Sequence, residues 1–433
     1  MGALFLFVGL FLFIKKDVFK LFVLHLFMSL AIPYNDYIYH ILGVELAGIK
    51  INYILMLLIL VLIFKQLYAK RFNIRVSKID IFMVFFFMII CLYFFVGYYN
   101  KNTYLWFDMK IFVFFFLNYI IFRSVVNNDN YIKVINVIFI SSLFYSVIVI
   151  YIYLFMKDYL PFIYGDKLFS WWGNRITFSN VSMCLITIPL SIYCLLQNNY
   201  SNIKKFYFFL IFSLNLIAVL LSQTRTVIMM STFNSIIVLA TSIYYSMFNF
   251  KKINIKKAYR IAIFIVFISI SLSIFYFDTT FGTQVLNNVI NRFSEGQETL
   301  NVRDVSNEMA KEEIIRNIWG YGLGKEAILY NTDYSINNVG AFIDNILFTL
   351  GLKIGLLGVL MFLILLLVLF RNLLFYRNSF KILIIAIYIS FVLMTAIFNA
   401  QIIYSVPIVL IFILFICISK INIGKKLLKI EEY

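Results

Sequence analysis

The chain has 433 residues, 63% of them apolar and 13% charged, and its mean hydropathy is +0.94. So little polar surface cannot cover a water-soluble globule of this size, so the solvent for most of the chain is lipid. A formal net charge of +17 would suggest nucleic acid in a soluble protein, but here Lys and Arg sit in alternate short loops, as the positive-inside rule requires, and no nucleic-acid partner is expected.

A helix needs roughly 20 apolar residues to cross about 30 Å of hydrocarbon. Runs of that kind predict spans near 2–14, 18–33, 51–67, 79–99, 105–122, 134–156, 176–196, 206–222, 226–248, 261–277, 345–370, 382–399 and 401–419. No run alternates with period two as barrel strands would. The first run, Ala3 to Ile14, has the length of a signal-peptide core. No basic residue precedes it and no small-residue cleavage site follows, so it reads as a short first span or the remnant of one. The basic loops around Lys15, Lys70, Lys133, Lys204, Lys256, Arg377 and Lys425 mark the cytoplasmic side. Stretches 34–50, 157–175 and 278–344 are then extracytoplasmic and the C-terminus cytoplasmic. The expected fold is all-α, a polytopic bundle of 12–13 spans with one large outer loop. Residues 1–277 form the first part of the bundle, 278–344 the loop, and 345–433 the last spans with a short basic tail. Neither a 20–50-residue repeat nor an inverted repeat is visible. Cys91, Cys184, Cys194 and Cys417 lie in apolar runs without CxxC spacing, and His25 and His40 make no metal-ligand spacing, so neither a disulfide framework nor a metal site is indicated.

The outer loop carries ten charges between Arg292 and Arg316, in a chain that elsewhere avoids them. From Asn301 to Asn317, Val302, Val305, Met309 and Ile314 recur at helical spacing with charges between them, which predicts an amphipathic helix. Gly320, Gly322 and Gly324 then permit either a plain helix stop or a tight turn with close backbone approach to a ligand. Arg225 falls between two apolar runs with Ser222, Thr224 and Thr226 beside it, and there it either snorkels or binds a phosphate bidentately. Arg175 opens a span behind Trp171 and Trp172, as an interfacial anchor or as a second anion ligand. Lys110 reads as snorkelling, two residues after Asp108. Asp344 stands at the start of a span, where a carboxylate suits an N-cap. Lys353, about two turns inside that span, needs a partner or a water-filled cavity.

Taken in order, Trp172-Gly173-Asn174-Arg175-Ile176-Thr177-Phe178-Ser179-Asn180, Ser222-Gln223-Thr224-Arg225, a long outer loop with Arg303 followed by Gly320-Tyr321-Gly322-Leu323-Gly324, Phe342-Ile343-Asp344-Asn345, and Gly351-Leu352-Lys353-Ile354-Gly355 resemble the O-antigen ligase/polymerase superfamily over about residues 170–360. The resemblance is greatest to bacterial repeat-unit polymerases of the Wzy type. Ligases of the superfamily tend to have His-Asn where this chain has Asp344-Asn345, which favours the polymerase branch. The resemblance implies a multi-pass protein of the bacterial cytoplasmic membrane that needs no metal or cofactor. Its substrate would be an undecaprenyl-diphosphate-linked oligosaccharide, and its partners membrane lipid and a chain-length regulator. It assigns Arg225, Arg303 and Arg175 to the diphosphate. A base for the acceptor hydroxyl would then be a carboxylate, Asp344, Asp304 or Glu308. A lipid-linked oligosaccharide flippase or other transporter, an O-antigen ligase, and a non-catalytic scaffold of polysaccharide assembly are the other readings.

Overall fold

The computed structural model describes residues 2–46, 48–69, 76–127, 129–164, 176–196, 200–248, 287, 290, 296–330, 336–374, 381–397 and 401–419. Helices occupy most of them. In chain order they are α1 (Gly2–Ile14), α2 (Val18–Ala31), α3 (Asp36–Ile41), α4 (Ile51–Tyr68), α5 (Lys78–Tyr99), α6 (Leu105–Val125), α7 (Tyr131–Phe155) and α8 (Leu160–Tyr164). There follow α9 (Cys184–Leu196), α10 (Asn202–Ser222), α11 (Arg225–Phe248), α12 (Gly296–Arg316), α13 (Ile346–Leu374), α14 (Lys381–Val392), α15 (Gln401–Tyr404) and α16 (Val406–Ile418). Eight helical segments among the described residues are long and apolar enough to cross a membrane, and four shorter apolar ones accompany them. The protein is an all-α, multi-pass membrane protein. The predicted span at 261–277 lies outside the described residues.

Lipid as solvent explains why the helices are apolar on both faces. Helix α5 buries Met83, Phe86 and Ile90, yet exposes Ile81, Phe85, Met88, Leu92 and Phe95 on the opposite stripe. In water that stripe would be a large unprotected patch. At the basic-loop end, Ser77 and Asp80 form a capping box that starts α5. The Asp80 carboxylate also accepts from Arg123 Nε at 3.1 Å and from the Tyr119 hydroxyl, which ties α5 to the end of α6.

Polar side chains inside the bundle are used to join helices. Asn215 of α10 accepts from Ser146 Oγ at 2.6 Å and donates to Ser142 Oγ at 3.2 Å and Thr187 Oγ1 at 2.7 Å, linking α7, α9 and α10. His25 of α2 is fully buried, with its ring nitrogens 3.0 Å from the Asn52 carbonyl and 2.9 Å from Asn118 Oδ1, so it joins α4 and α6.

The predicted span 176–196 becomes helical in two stages, a 3-10 turn over Ser179–Met183 and then α9. Pro189 lies inside α9 and has no N–H for the Leu185 carbonyl four residues back. Asn234 Nδ2 of α11 donates to that carbonyl at 3.4 Å, and Ser390 of α14 donates to Asn234 Oδ1 at 2.9 Å. The last predicted span divides at Ser405 into α15 and α16, with Pro407 in the first turn of the latter.

Helix α12 matches the helix predicted over Asn301–Asn317 and begins five residues earlier, at Gly296. Ser306 and Ala310 are buried. One turn on, Ile314 rests on Gly351 of α13, where a Cβ would meet its Cδ1 at 2.6 Å. A two-stranded antiparallel ribbon, β1 (Ala327–Tyr330) with β2 (Ile336–Gly340), follows it. This hairpin lies in a segment that the sequence reading leaves as loop.

Asn180, in the motif Phe178-Ser179-Asn180, finishes α2 from 150 residues away. Its Nδ2 donates to the Leu30 and Ile32 carbonyls at 2.8 and 3.0 Å, and its Oδ1 accepts from Tyr34 N–H at 2.8 Å. These are the last-turn and exit groups of a helix, which lack partners within it. Asn180→Ala strands them in a fully buried site and is expected to destabilise the protein by about 2–4 kcal/mol. A clear fall of the unfolding temperature in detergent checks this, with exposed Lys110→Ala as the neutral control.

Candidate functional site

The end of the bundle away from the basic loops is built around a strap, residues 318–324, that threads between α5, α6 and α13. From Trp319 to Gly324 every backbone N–H and carbonyl of the strap is paired. Tyr321 N–H donates to the Leu352 carbonyl at 2.8 Å and Gly322 N–H to the Lys353 carbonyl at 2.9 Å, while Leu356 N–H donates to the Ile318 carbonyl at 2.9 Å. Those α13 groups lack helical partners because α13 is interrupted at Gly355, where φ is 69°. On the opposite side, Leu323 N–H donates to the Tyr93 carbonyl at 3.0 Å, and Asn102 Nδ2 reaches the carbonyls of Tyr321 and Leu323 at 3.0 and 2.8 Å.

The three alternate glycines are required by this threading. All have positive φ, and a Cβ would lie 2.4 Å from Gly355 N at Gly320, 2.3 Å from Gly97 N at Gly322 and 2.1 Å from Leu105 N at Gly324. The glycines therefore serve neither as a plain helix stop nor for approach to a ligand, but for close approach to the protein's own helices. No other residue type fits between the three backbones.

A buried charge cluster pins the strap. Asp108 of α6 and Lys353 of α13, 0% and 1% exposed at their side chains, meet at 2.6 Å. Gly324 N–H donates to Asp108 Oδ2 at 2.7 Å. Lys353 Nζ also donates to the Ala341 carbonyl and, at 3.0 Å, to the Tyr404 hydroxyl, which donates in turn to Asp108 Oδ1 at 3.3 Å. The Tyr404 ring stacks on Phe342 at 4.5 Å and on Phe107 at 6.2 Å. Lys353 thus has the partner that its depth requires, and the three donors of its ammonium are all used. Such a saturated cluster holds the two ends of the outer segment, Gly324 and Ala341, against the membrane domain, and leaves no group for substrate. Nothing in the sequence links Asp108 to Lys353 across 245 residues. Lys110 is exposed and lies 5.6 Å above the Tyr53 ring.

Arg225 occupies the first position of α11, after a turn in which Gln223 adopts left-handed backbone geometry with φ 47°. Thr224 is the cap: its carbonyl accepts from Ile228 N–H at 3.0 Å, and its hydroxyl lies 3.1 Å from that of Thr177. Ile176 N–H donates to the Leu221 carbonyl at 3.0 Å. The motif around Ile176–Thr177 and the motif Ser222-Gln223-Thr224-Arg225 are therefore stitched together at this end of the bundle. The positive end of a long helix and the half-buried Arg225 share that position. Arg175, one residue before Ile176, lies outside the described residues.

The remaining predicted residues sit on other elements. Arg303 lies within α12, three residues before Ser306, and its side chain is outside the described set. Asp304 and Glu308 are exposed. Asp344 is partly exposed, one residue before Asn345, and it is Asn345 that caps α13, its Oδ1 accepting from Leu347 N–H at 2.9 Å. The N-cap role expected for Asp344 thus belongs to its neighbour. Helix α14 and the π-helical turn Leu393–Ile397 that continues it pack against both α11 and α13, between the Arg225 and Asp344 elements. Trp319, 72% exposed beside the exposed Ile315 and Ile318, suits an anchor at the lipid headgroups. No model of a known protein family matches the chain, and no curated protein shows significant similarity to it.

Two substitutions test the strap. Asp108→Ala leaves the Lys353 ammonium buried without its counter-ion and is expected to cost about 3–5 kcal/mol, of which adding Lys353→Met recovers roughly half or more. Gly322→Ala has no space for its Cβ. Both single variants should open the outer segment to protease in sealed vesicles at the stage where wild type resists cleavage, and equal resistance would contradict the pinned strap.

Proposed function

We propose that this protein is a membrane glycosyltransferase that works on a lipid-linked donor at the face away from the basic loops. Within that class, the reading is a polymerase of undecaprenyl-diphosphate-linked oligosaccharide repeat units in a bacterial cytoplasmic membrane. One observation carries it: the Arg225 turn and the Thr177 segment are joined at the same end of the bundle to which the strap holds the charged outer segment. An arginine on a helix N-terminus suits a diphosphate, and positive charge held there favours departure of the diphosphate leaving group without a metal. Arg303 and Arg175 are the other cations assigned to it.

In the proposed reaction an acceptor hydroxyl attacks the anomeric carbon of the donor, the bond to the diphosphate breaks, and a carboxylate takes the proton. Asp344 is preferred as that base because it stands beside Asn345 at the fixed start of α13. Asp304 and Glu308 are the alternatives.

A flippase is the second reading, favoured by the interrupted helices α9 and α13 and by an intramembrane ion pair, all of which occur in transporters. Against it, the groups freed at Gly355 are taken up by the strap, and that freed at Pro189 by Asn234; neither lines a transport path. Reconstitution with lipid-linked repeat units decides between the two. A polymerase produces a ladder of longer chains, which Arg225→Ala weakens by roughly 10²-fold or more and Arg225→Lys by less. Absence of a ladder with wild type, or an undiminished one with Arg225→Ala, overturns the reading or the role of Arg225 respectively.

A further inference from the structure

Among the described residues, a cavity of about 70 Å³ lies between α7, α9, α14 and α16, lined by Ile138, Phe139, Ile186, Leu190, Ile387 and Leu414 among others. Its depth follows from the chain direction. Tyr131, which also lines it, is the first residue of α7 at the basic-loop end, and the α7 lining from Tyr131 to Phe139 covers roughly 12 Å of helix. The cavity therefore occupies the leaflet next to the basic loops, opposite the leaflet that meets Arg225.

The lining surface is apolar. Of the two hydroxyls its residues carry, that of Thr187 is engaged by Asn215 and by the Met183 carbonyl at 2.7 and 3.1 Å, and that of Tyr131 is buried without a partner among the described residues, one polar group where a water needs at least two. The site therefore suits an apolar guest. At about half the volume of a dry cavity that accepts benzene, it takes the tip of a chain and nothing larger.

Resting on the reading above, we infer that this cavity receives the far end of the polyprenyl tail of the lipid-linked donor whose diphosphate lies at Arg225. Each leaflet contributes about 15 Å of hydrocarbon, so an ordinary acyl chain anchored at the outer face stops short of the cavity, whereas a long polyprenyl chain crosses the midplane and reaches it. The bundle then measures tail length as well as headgroup. A short-tailed donor can fill the Arg225 end but not the cavity.

Photolabelling of the full-length protein in phosphatidylglycerol/phosphatidylethanolamine vesicles tests this without requiring turnover. The reagents are an undecaprenyl diphosphate with a diazirine at the tail tip, a geranyl diphosphate with the same group, and a phospholipid with a diazirine at the acyl end. The undecaprenyl reagent should label peptides of α7, α9, α14 and α16, and the geranyl reagent should not. Leu190→Phe and, independently, Ile186→Phe remove space for roughly one methylene each and should lower the label about fourfold. Equal labelling by the phospholipid assigns the cavity to an inner-leaflet acyl chain and overturns the proposal, as does label unaffected by both variants in folded protein. Labelling as expected without any chain ladder would overturn the polymerase reading alone, and a ladder without labelling would overturn the tail site alone.

Discussion

The ion pair between Asp108 and Lys353 is the interaction on which the outer end of the molecule depends. Two opposite charges inside a membrane domain are costly to desolvate, and the pair holds only because every lone pair and proton around it is used. Two of those additional partners are backbone groups, Gly324 N–H and the Ala341 carbonyl, and the third is the Tyr404 hydroxyl. The same cluster that neutralises Lys353 therefore holds both ends of the hairpin-bearing stretch, Gly324 and Ala341, on the bundle. The strap that leads into Gly324 supplies the groups that α13 lacks at Gly355, so the helix break and the strap stabilise one another.

This arrangement sets the geometry available for chemistry. The strap and the charge cluster are saturated and serve as a frame. The residues proposed to act on a substrate lie outside that frame: Arg225 at the head of α11 with the Thr177 segment beside it, and Asp344 just before the Asn345 cap. Helix α14 packs against both α11, which begins at Arg225, and α13, which begins two residues after Asp344. A group at the start of a packed helix is held more closely than one on a free loop.

Much of the fold is legible in the sequence because lipid imposes a simple rule on composition. The apolar runs from Ile51, Ile79 and Leu105 mark their helices within a few residues, and the charged stretch from Asn301 to Asn317 declares itself as a helix that cannot be in lipid. Arg225 also stands out, since a charge between two apolar runs has nowhere to go but a helix end. What sequence does not reveal are pairings across long separations. Asp108 stands two residues before a lysine that reads as snorkelling, and only the fold brings it to Lys353. Gly320, Gly322 and Gly324 announce close approach but not its object, which is backbone of α5, α6 and α13. Asn180 reads as one letter of a loose motif until its bonds to the end of α2 are seen.

In the proposed function a diphosphate is held at the end of the bundle away from the basic loops, at the Arg225 turn. Cryo-electron microscopy of the full-length protein in lipid nanodiscs with undecaprenyl diphosphate tests it most directly. Paired phosphate density within hydrogen-bonding distance of the Arg225 guanidinium is expected. Phosphate density deep inside the bundle, or at the end bearing the basic loops, would contradict it.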